Sequence, residues 1–538
     1  MSRERGAAER WSLPVFALVE AGAFVFYLVL ARTQWFFADE WEFLSGRGLN
    51  PSDLLRAHYG HWVAAPIVVY RVLWEVVGLR SYLPYVGVAI VLHLAAAALL
   101  RVVMRRAGVR ASTATIAASA FVLFGAGAQD VLWAFQITFK GALVFGLVQL
   151  VLVDHDGPVG RRDWLAIGAG AIALMCSGVA VTMVIVVGIA SLLRRSWRVA
   201  ALQTVPLGVV YGAWWLRYSH GEHSFRGTAR QIVDWCVTGA TSVFGALGSV
   251  RGLGWVLGAM LIGGCVLAVR EKGVAALRGR LALPAALLLG AAAFLLIAAF
   301  DRSGVGASAA KLSRYLHILA ALVLPALAVA ADALLRRSRV LGVLALVALL
   351  AGIPGNVAHA TDFAHRQQAV DDATRKTLLS IARTPLAHDV PHTLRPDPNR
   401  APTLTLGWLL DGVSSGRVPR TAPPTPTQEL TNRLRLSLLE LDQRSGLPCR
   451  PLTTPVVVRV RRGDRLGIVG KTLVVLVGDA KSRSAPVPFG IGLLNPALAH
   501  TLEVVAGPLT LRIGPAGPSG PLGPALCRAE PQKPTQPA

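Results

Sequence analysis

Apolar residues along this chain gather in runs of about twenty, far longer than the stripe a soluble helix buries. Leu281 to Phe300 and Leu316 to Leu335 are two such runs. Runs of this kind predict membrane spans at about 13–31, 85–103, 111–126, 140–153, 199–216, 253–269, 281–300, 315–335 and 340–354. The stretch from Trp164 to Leu193 is long enough for one crossing, but basic residues flank both of its ends. It therefore reads as two short crossings that turn near Ser177-Gly178. The expected fold class is an α-helical polytopic membrane protein with about eleven transmembrane helices.

Between the first two spans, residues 32–84 are too many for a plain connection. Within them Val63 to Val77 is apolar but short, which predicts a helix lying at the membrane surface. The pattern changes from about Asn356. A polar helical piece, Ala360 to Ala382, runs into a Pro-rich linker containing Arg395-Pro396-Asp397-Pro398 and Pro423-Pro424-Thr425-Pro426. Period-two alternation follows at Leu434, Leu436 and Leu438, at Val456, Val458 and Val460, and at Leu509, Leu511 and Ile513. Short alternating runs between turn signals predict a small β-sandwich. From Gly514 onward Gly and Pro dominate, and a loosely ordered tail is expected. The expected organisation is a transmembrane domain at 1–355 with a first external loop at 32–84, a helical and Pro-rich linker at 356–427, and a β-rich domain at 428–538.

Composition sharpens this picture: 54% of the 538 residues are hydrophobic and 16% charged, against about a quarter charged in soluble domains. A net charge of +24 would suggest nucleic acid in a soluble chain. Here the basic residues cluster in short loops between apolar runs, as the positive-inside rule requires, and no nucleic-acid partner is expected. Arg105, Arg106 and Arg110; Arg161 and Arg162; Arg194, Arg195 and Arg198; Arg270, Lys272, Arg278 and Arg280; and Arg336, Arg337 and Arg339 mark cytoplasmic loops. With Arg3, Arg5 and Arg10, they predict a plasma-membrane protein with a cytoplasmic N-terminus, an uncleaved first span and an extracytoplasmic C-terminal domain. The outer loops are then 32–84, 127–139, 217–252 and 301–314. Of five cysteines, Cys176, Cys236 and Cys265 sit in or near apolar runs and read as packing residues. Cys449 and Cys527 alone lie in the tail, where an oxidising compartment predicts a disulfide worth about 4 kcal/mol in the chain-entropy picture.

The candidate chemistry starts just after the first span, in Trp35-Phe36-Phe37-Ala38-Asp39-Glu40-Trp41-Glu42-Phe43. Carboxylates at a membrane boundary are costly unless they serve solvent, a metal or a reaction. A partly desolvated carboxylate beside a like charge suits a general base. The same loop continues with His58-Tyr59-Gly60-His61-Trp62, then Pro66, Tyr70 and Arg71. This pattern resembles the GT-C superfamily of membrane glycosyltransferases, in the branch with protein O-mannosyltransferases and lipid A aminoarabinose transferases. Asp39-Glu40 matches the acidic pair of that branch, and Trp62, Pro66 and Tyr70 match its second element loosely. Ser313-Arg314-Tyr315 resembles the donor-side outer loop of actinobacterial members, and Trp133, Phe135-Gln136 and Lys140 have similar character. The Lys-Pro-Pro element of the best-known enzymes is absent, which bears on acceptor and donor sugar.

The resemblance implies transfer of a sugar from a polyprenyl-phosphate donor to an extracytoplasmic glycan, lipid or protein acceptor, with inversion. Asp39 would be the base and Glu40 its partner or a group that orients the acceptor. Arg314 and Arg302, then Lys311, Arg71 and Lys140, would hold the leaving phosphate, for which Arg is the best bidentate match. His58, His61, Trp62, Tyr70, Gln136 and Tyr315 would line the substrate site. No cofactor is implied. Asp154-His155-Asp156 looks like a metal-binding Asp-x-Asp but falls in a cytoplasmic loop and reads as solvated. His58 with His61, and His220 with Glu222 and His223, fall short of a full metal-ligand set. No Walker A, Gly-x-Ser-x-Gly or Cys-x-x-Cys motif occurs. Two other classes compete. A transporter or flippase would place ionisable groups near mid-membrane or show a repeat; a cell-envelope scaffold would work through a glycan-binding β-domain.

Overall fold

A computed structural model describes residues 2–219, 225–441, 449–469, 472–476, 489–491, 499–515 and 525–528. His220, Glu222 and His223 lie outside the described residues, as does most of the chain beyond Pro515. The helices are α1 Ser2–Ala31, α2 Glu40–Leu44, α3 Pro51–Leu55, α4 Ala64–Val76, α5 Leu83–Arg106, α6 Ala111–Val122, α7 Ala128–Leu132, α8 Ile137–Val153 and α9 Arg161–Leu174. They continue as α10 Val179–Arg194, α11 Trp197–Tyr218, α12 Ala229–Gly248, α13 Leu253–Lys272, α14 Ala282–Arg302, α15 Ser313–Arg337, α16 Arg339–Ala351, α17 Ile353–Ile381, α18 Leu406–Ser414 and α19 Pro426–Ser437. Among the described residues nine helical segments are long and apolar enough to cross a membrane, and Val179–Arg194 is a shorter apolar helix. The protein is a multi-pass membrane protein. Helices α9 and α10 turn at Met175 to Gly178, and α4 covers nearly the segment expected to lie at the surface.

Contacts divide the chain into two compact units, and not where composition changes. The first comprises Met1–Gln34, Leu49–Tyr70 and Tyr82–Gln368. The second comprises Trp35–Gly48, Arg71–Ser81 and Ala369–Ala538, so the acidic turn after the first span belongs with the C-terminal part.

In the first unit α15 is the central helix, buried along nearly its whole length. Packing between helices in lipid relies on close approach, since lipid is as apolar as a side chain. Gly264 of α13 shows this: a Cβ there would lie 2.5 Å from the Cβ of Ala330 on α15. The connections separate to the two ends of the unit. At one end Asp154 pairs with Arg106 at 3.2 Å and Arg194 at 3.0 Å, and Arg195 pairs with Asp163. Asp332 lies near Arg110 and pairs with Arg336 there. The expectation of a solvated Asp154-His155-Asp156 loop is thus corrected. Asp154 keeps 9% of its side chain exposed and lies against two guanidinium groups that pair with it, whereas Asp156 is exposed.

The other end collects 125–136, 301–317 and 352–356. Asn356 accepts from Ala126 N at 2.9 Å and donates to the carbonyls of Ala246 and Gly352 at 3.0 Å each. The segment 217–252, expected to connect two spans at the outer end, is mostly the helix α12, which is not among the span-length apolar helices of the described residues. Its Arg230 and Asp234 lower the apolar signal, yet Trp235, Gly239, Val243 and Leu247 form a single buried stripe at four-residue spacing. Both of its flanks meet this same end, through Phe225 N on the Asp301 carbonyl at 2.8 Å and through Asn356. The helix therefore starts and finishes on one side.

Among the described residues of the second unit, nine strands form two antiparallel sheets. One has the order β1 Leu438–Leu441, β7 Ala499–Val504, β4 Arg465–Val469, β9 Ala525–Arg528, β2 Cys449–Pro451; the other β3 Val456–Val460, β8 Leu509–Pro515, β5 Thr472–Leu476, β6 Phe489–Ile491. Leu438, Leu466, Ile468, Leu502 and Val504 of the first sheet and Val458, Val460, Val474, Leu509, Leu511 and Ile513 of the second share one core. The alternation at Leu434 and Leu436 is not strand: both lie in α19, which Thr425 caps and Pro426 opens. Strand β9 lies in the tail expected to be loosely ordered, and it pairs with β4 and β2. Cys449 faces Cys527 across β2 and β9, joined by a disulfide.

Candidate active site

The acidic turn of the second unit is built on a strained residue. Ala38 has φ 51°, a region that side chains with a Cβ rarely adopt. Its N–H donates to the Arg400 carbonyl at 2.9 Å, and the Phe37 N–H donates to Glu40 Oε2 at 3.0 Å. Below the turn Trp41 is fully buried, edge-on to Trp35 at 5.6 Å and to Trp408 at 6.3 Å. Asp39, directly after Ala38, keeps a half-buried side chain at the start of α2. Glu40 does not: it is wholly buried. Its assignment beside Asp39 as a group facing the acceptor is therefore corrected to a group that holds the turn. Glu42 pairs with Arg47 at 2.9 Å. Arg71 spends its guanidinium on the Leu44 carbonyl at 2.8 Å, closing the end of α2, and lies 3.8 Å from Glu75.

The other candidates lie in the first unit. His58-Tyr59-Gly60-His61 is a tight two-residue turn, with His58 and His61 exchanging both backbone hydrogen bonds at 3.0 Å and with φ 48° and 79° at its centre. It carries His61 to the α9–α10 turn, where a Cβ on Gly178 would lie 2.6 Å from His61 Nδ1. Burial pushes the His61 imidazole down to about 4, and the nearby Arg302 and Arg314 guanidinium groups push the same way, opposed by Asp301. Arg302 and Arg314 thus both lie near enough to His61 to act on its charge, with Asp301 opposing them. Arg302 pairs with Asp301 at 2.8 Å, and Arg314 lies over the Tyr315 ring at 5.1 Å. Lys311 is exposed on the short turn Ala307–Lys311. Trp62 stacks on Trp214 at 5.5 Å, and the His58 ring lies 5.5 Å from Phe135.

Four assignments are corrected by burial. Lys140 is fully buried, with its ammonium on the carbonyls of Asp130 and Val131, and offers nothing to a phosphate. Tyr70 is 1% exposed against Tyr85, Gln136 is 1% exposed, and Tyr315 packs between Trp235 and Phe294. Among the described residues no group of three His, Cys, Asp or Glu is arranged to hold a metal ion.

Sequence reasoning missed one cluster. Asp130, His317 and His93 are completely buried, with His317 Nδ1 2.9 Å from Asp130 Oδ2 and His317 Nε2 2.9 Å from His93 Nδ1. His93 Nε2 in turn reaches the Val122 carbonyl at 3.0 Å. The signal was present: histidines inside predicted spans are rare and expensive.

No protein-family model and no curated protein matches the chain. Among solved structures it is similar to the crystal structure of ArnT from Cupriavidus metallidurans bound to undecaprenyl phosphate. Identity is 16% and the TM-score 0.45, over 78% of this chain and 87% of that one. At that level residue roles do not pass from one chain to the other.

Proposed function

We propose that the protein is a GT-C-type glycosyltransferase that moves a sugar from a polyprenyl-phosphate donor to an extracytoplasmic acceptor, with inversion. The observation that supports this reading is that Arg302 and Arg314, at the end of one span-length helix and the start of the next, both act electrostatically on His61. In this proposal the two guanidinium groups, near an imidazole kept neutral, take the dianionic leaving phosphate at a membrane boundary. Asp39 is the base in this proposal, taking the proton of the attacking acceptor hydroxyl as the anomeric carbon–phosphate oxygen bond breaks. Glu40 holds the backbone that presents Asp39. The N-terminus lies in the cytoplasm, the acidic turn and the two-sheet domain lie outside, and that domain holds acceptor or glycan.

A proton-coupled transporter is the second reading, favoured by the buried Asp130–His317–His93 chain, since ionisable groups inside a bundle mark such pathways. Membranes containing the protein, assayed with a panel of polyprenyl-phosphate sugars, separate the two. Sugar transfer that needs Asp39 supports the enzyme. No turnover with any donor removes it.

A further inference from the structure

The first unit carries a cavity of about 800 Å³ that the proposed reaction does not use. It is lined by α12, α13, the turn between them and α17, with Phe244, Trp255, Ala259 and Ile262 along the helices and with exposed Arg251 and His359 where α12, α13 and α17 come together. Arg251 sits in the α12–α13 turn, and His359 lies three residues beyond Asn356, so both belong to the end where that asparagine ties α12 to α17. From Gly252 the wall runs down α13 to Ile262, ten residues or about 15 Å along a span. Arg251 is exposed and makes no ion pair among the described residues. A cation at the mouth and an apolar trough along a span match an anionic head and one hydrocarbon chain.

We infer that this groove is a binding site for an anionic phospholipid, with the head group phosphate on Arg251 and His359 and an acyl chain along α13. It is separate from Arg302 and Arg314. Helix α12 has 20 residues, about 30 Å, and its N-terminal flank contacts Asp301 and Ser303 while the groove mouth follows its C-terminus. One phosphate cannot reach both ends. The occupant is thus a membrane lipid and not the head of a sugar donor.

The test is native mass spectrometry of the purified full-length protein, equilibrated with equal amounts of phosphatidylglycerol and phosphatidylcholine of the same acyl chains. The parent should retain phosphatidylglycerol about fivefold over phosphatidylcholine, the preference one basic side chain near a lipid head provides. Arg251→Gln should bring the two to near parity, and Ala259→Trp, which fills the trough, should lower retention of both. Arg230→Gln, an exposed arginine near the other end of α12, should leave the preference intact. Equal retention by the parent overturns the site, as does an equal loss in Arg230→Gln. Displacement of phosphatidylglycerol by a polyprenyl monophosphate at one-to-one stoichiometry would also overturn it, by making the groove a donor site. Should Ala259→Trp fail to fold, the Arg251→Gln comparison decides alone.

Discussion

Asp39 follows a residue held at φ 51°, and strain of this kind costs about 1–3 kcal/mol unless the surroundings fix it. The fixing groups are Glu40 and the Arg400 carbonyl; in the proposed reaction Glu40 would be a positioning residue. Asp39→Asn keeps shape and cannot accept a proton, so transfer should fall by about 10²–10⁴-fold at equal protein amounts. A variant as fast as the parent refutes the base. His61 gives a pH signature. Its pKa in the folded protein, about 4, lies below the ordinary 6.5, so the unfolded chain binds the proton more readily. The neutral imidazole's contribution is complete above about 6.5 and is lost as pH falls towards 4. Thermal unfolding at pH 7 and pH 5 should show a larger drop for the parent than for His61→Gln. In the buried chain, the Val122 carbonyl only accepts, so His93 Nε2 donates. His317 Nδ1 lies 2.9 Å from Asp130 Oδ2 but is not aligned with it as a hydrogen bond.

Among elements, α12 shows how a weakly apolar segment becomes part of a membrane bundle. Its capping box at Thr228 and Gln231 starts it, one face of Trp235, Gly239, Val243 and Leu247 packs inward, and the opposite face keeps its polar residues. Its C-terminus has carbonyls with no partner of their own, and Asn356 supplies donors to two of the carbonyls at this corner. Asn356→Ala removes these bonds together with the acceptor for Ala126 N. The loss should be about 2–4 kcal/mol, read as a lower unfolding temperature, with early protease cleavage near 249–252. Unchanged cleavage and temperature would mean that the corner is held by packing alone.

For the whole molecule, the two ends of the helical unit differ in chemistry: guanidinium–carboxylate pairs at one, and His61 with both flanks of α12 at the other. The proposed orientation puts the basic end in the cytoplasm, so a reporter fused after Asn356 should be active only outside and one at Arg195 only inside. An inside signal from the first fusion would reverse the placement of the two-sheet domain. In membranes from oxidising growth, Cys449 and Cys527 should resist alkylation until reduced. Labelling without reductant would contradict the bridge.

What the sequence determined by itself follows from length and period. Apolar runs of span length, the α9–α10 turn and the strands at Val456–Val460 and Leu509–Pro515 all rest on local signals. Leu434 and Leu436 misled because two leucines two apart fit a helix as well as a strand, and the cap at Thr425 outweighed the alternation. Of the candidate site, Asp39, Arg302, Arg314 and His61 were legible as residue types at a boundary. Which of them remain accessible was not. Glu40, Lys140, Tyr70 and Gln136 share the composition of site residues, and only packing from distant elements turned them inward. The Asp130–His317–His93 chain joins α7, α15 and α5, 37 to 224 positions apart, and a local pattern carries no signal of that distance. Assignment of the acidic turn to the C-terminal unit has the same cause: its bonds to Arg400 and its packing on Trp408 cross more than three hundred residues.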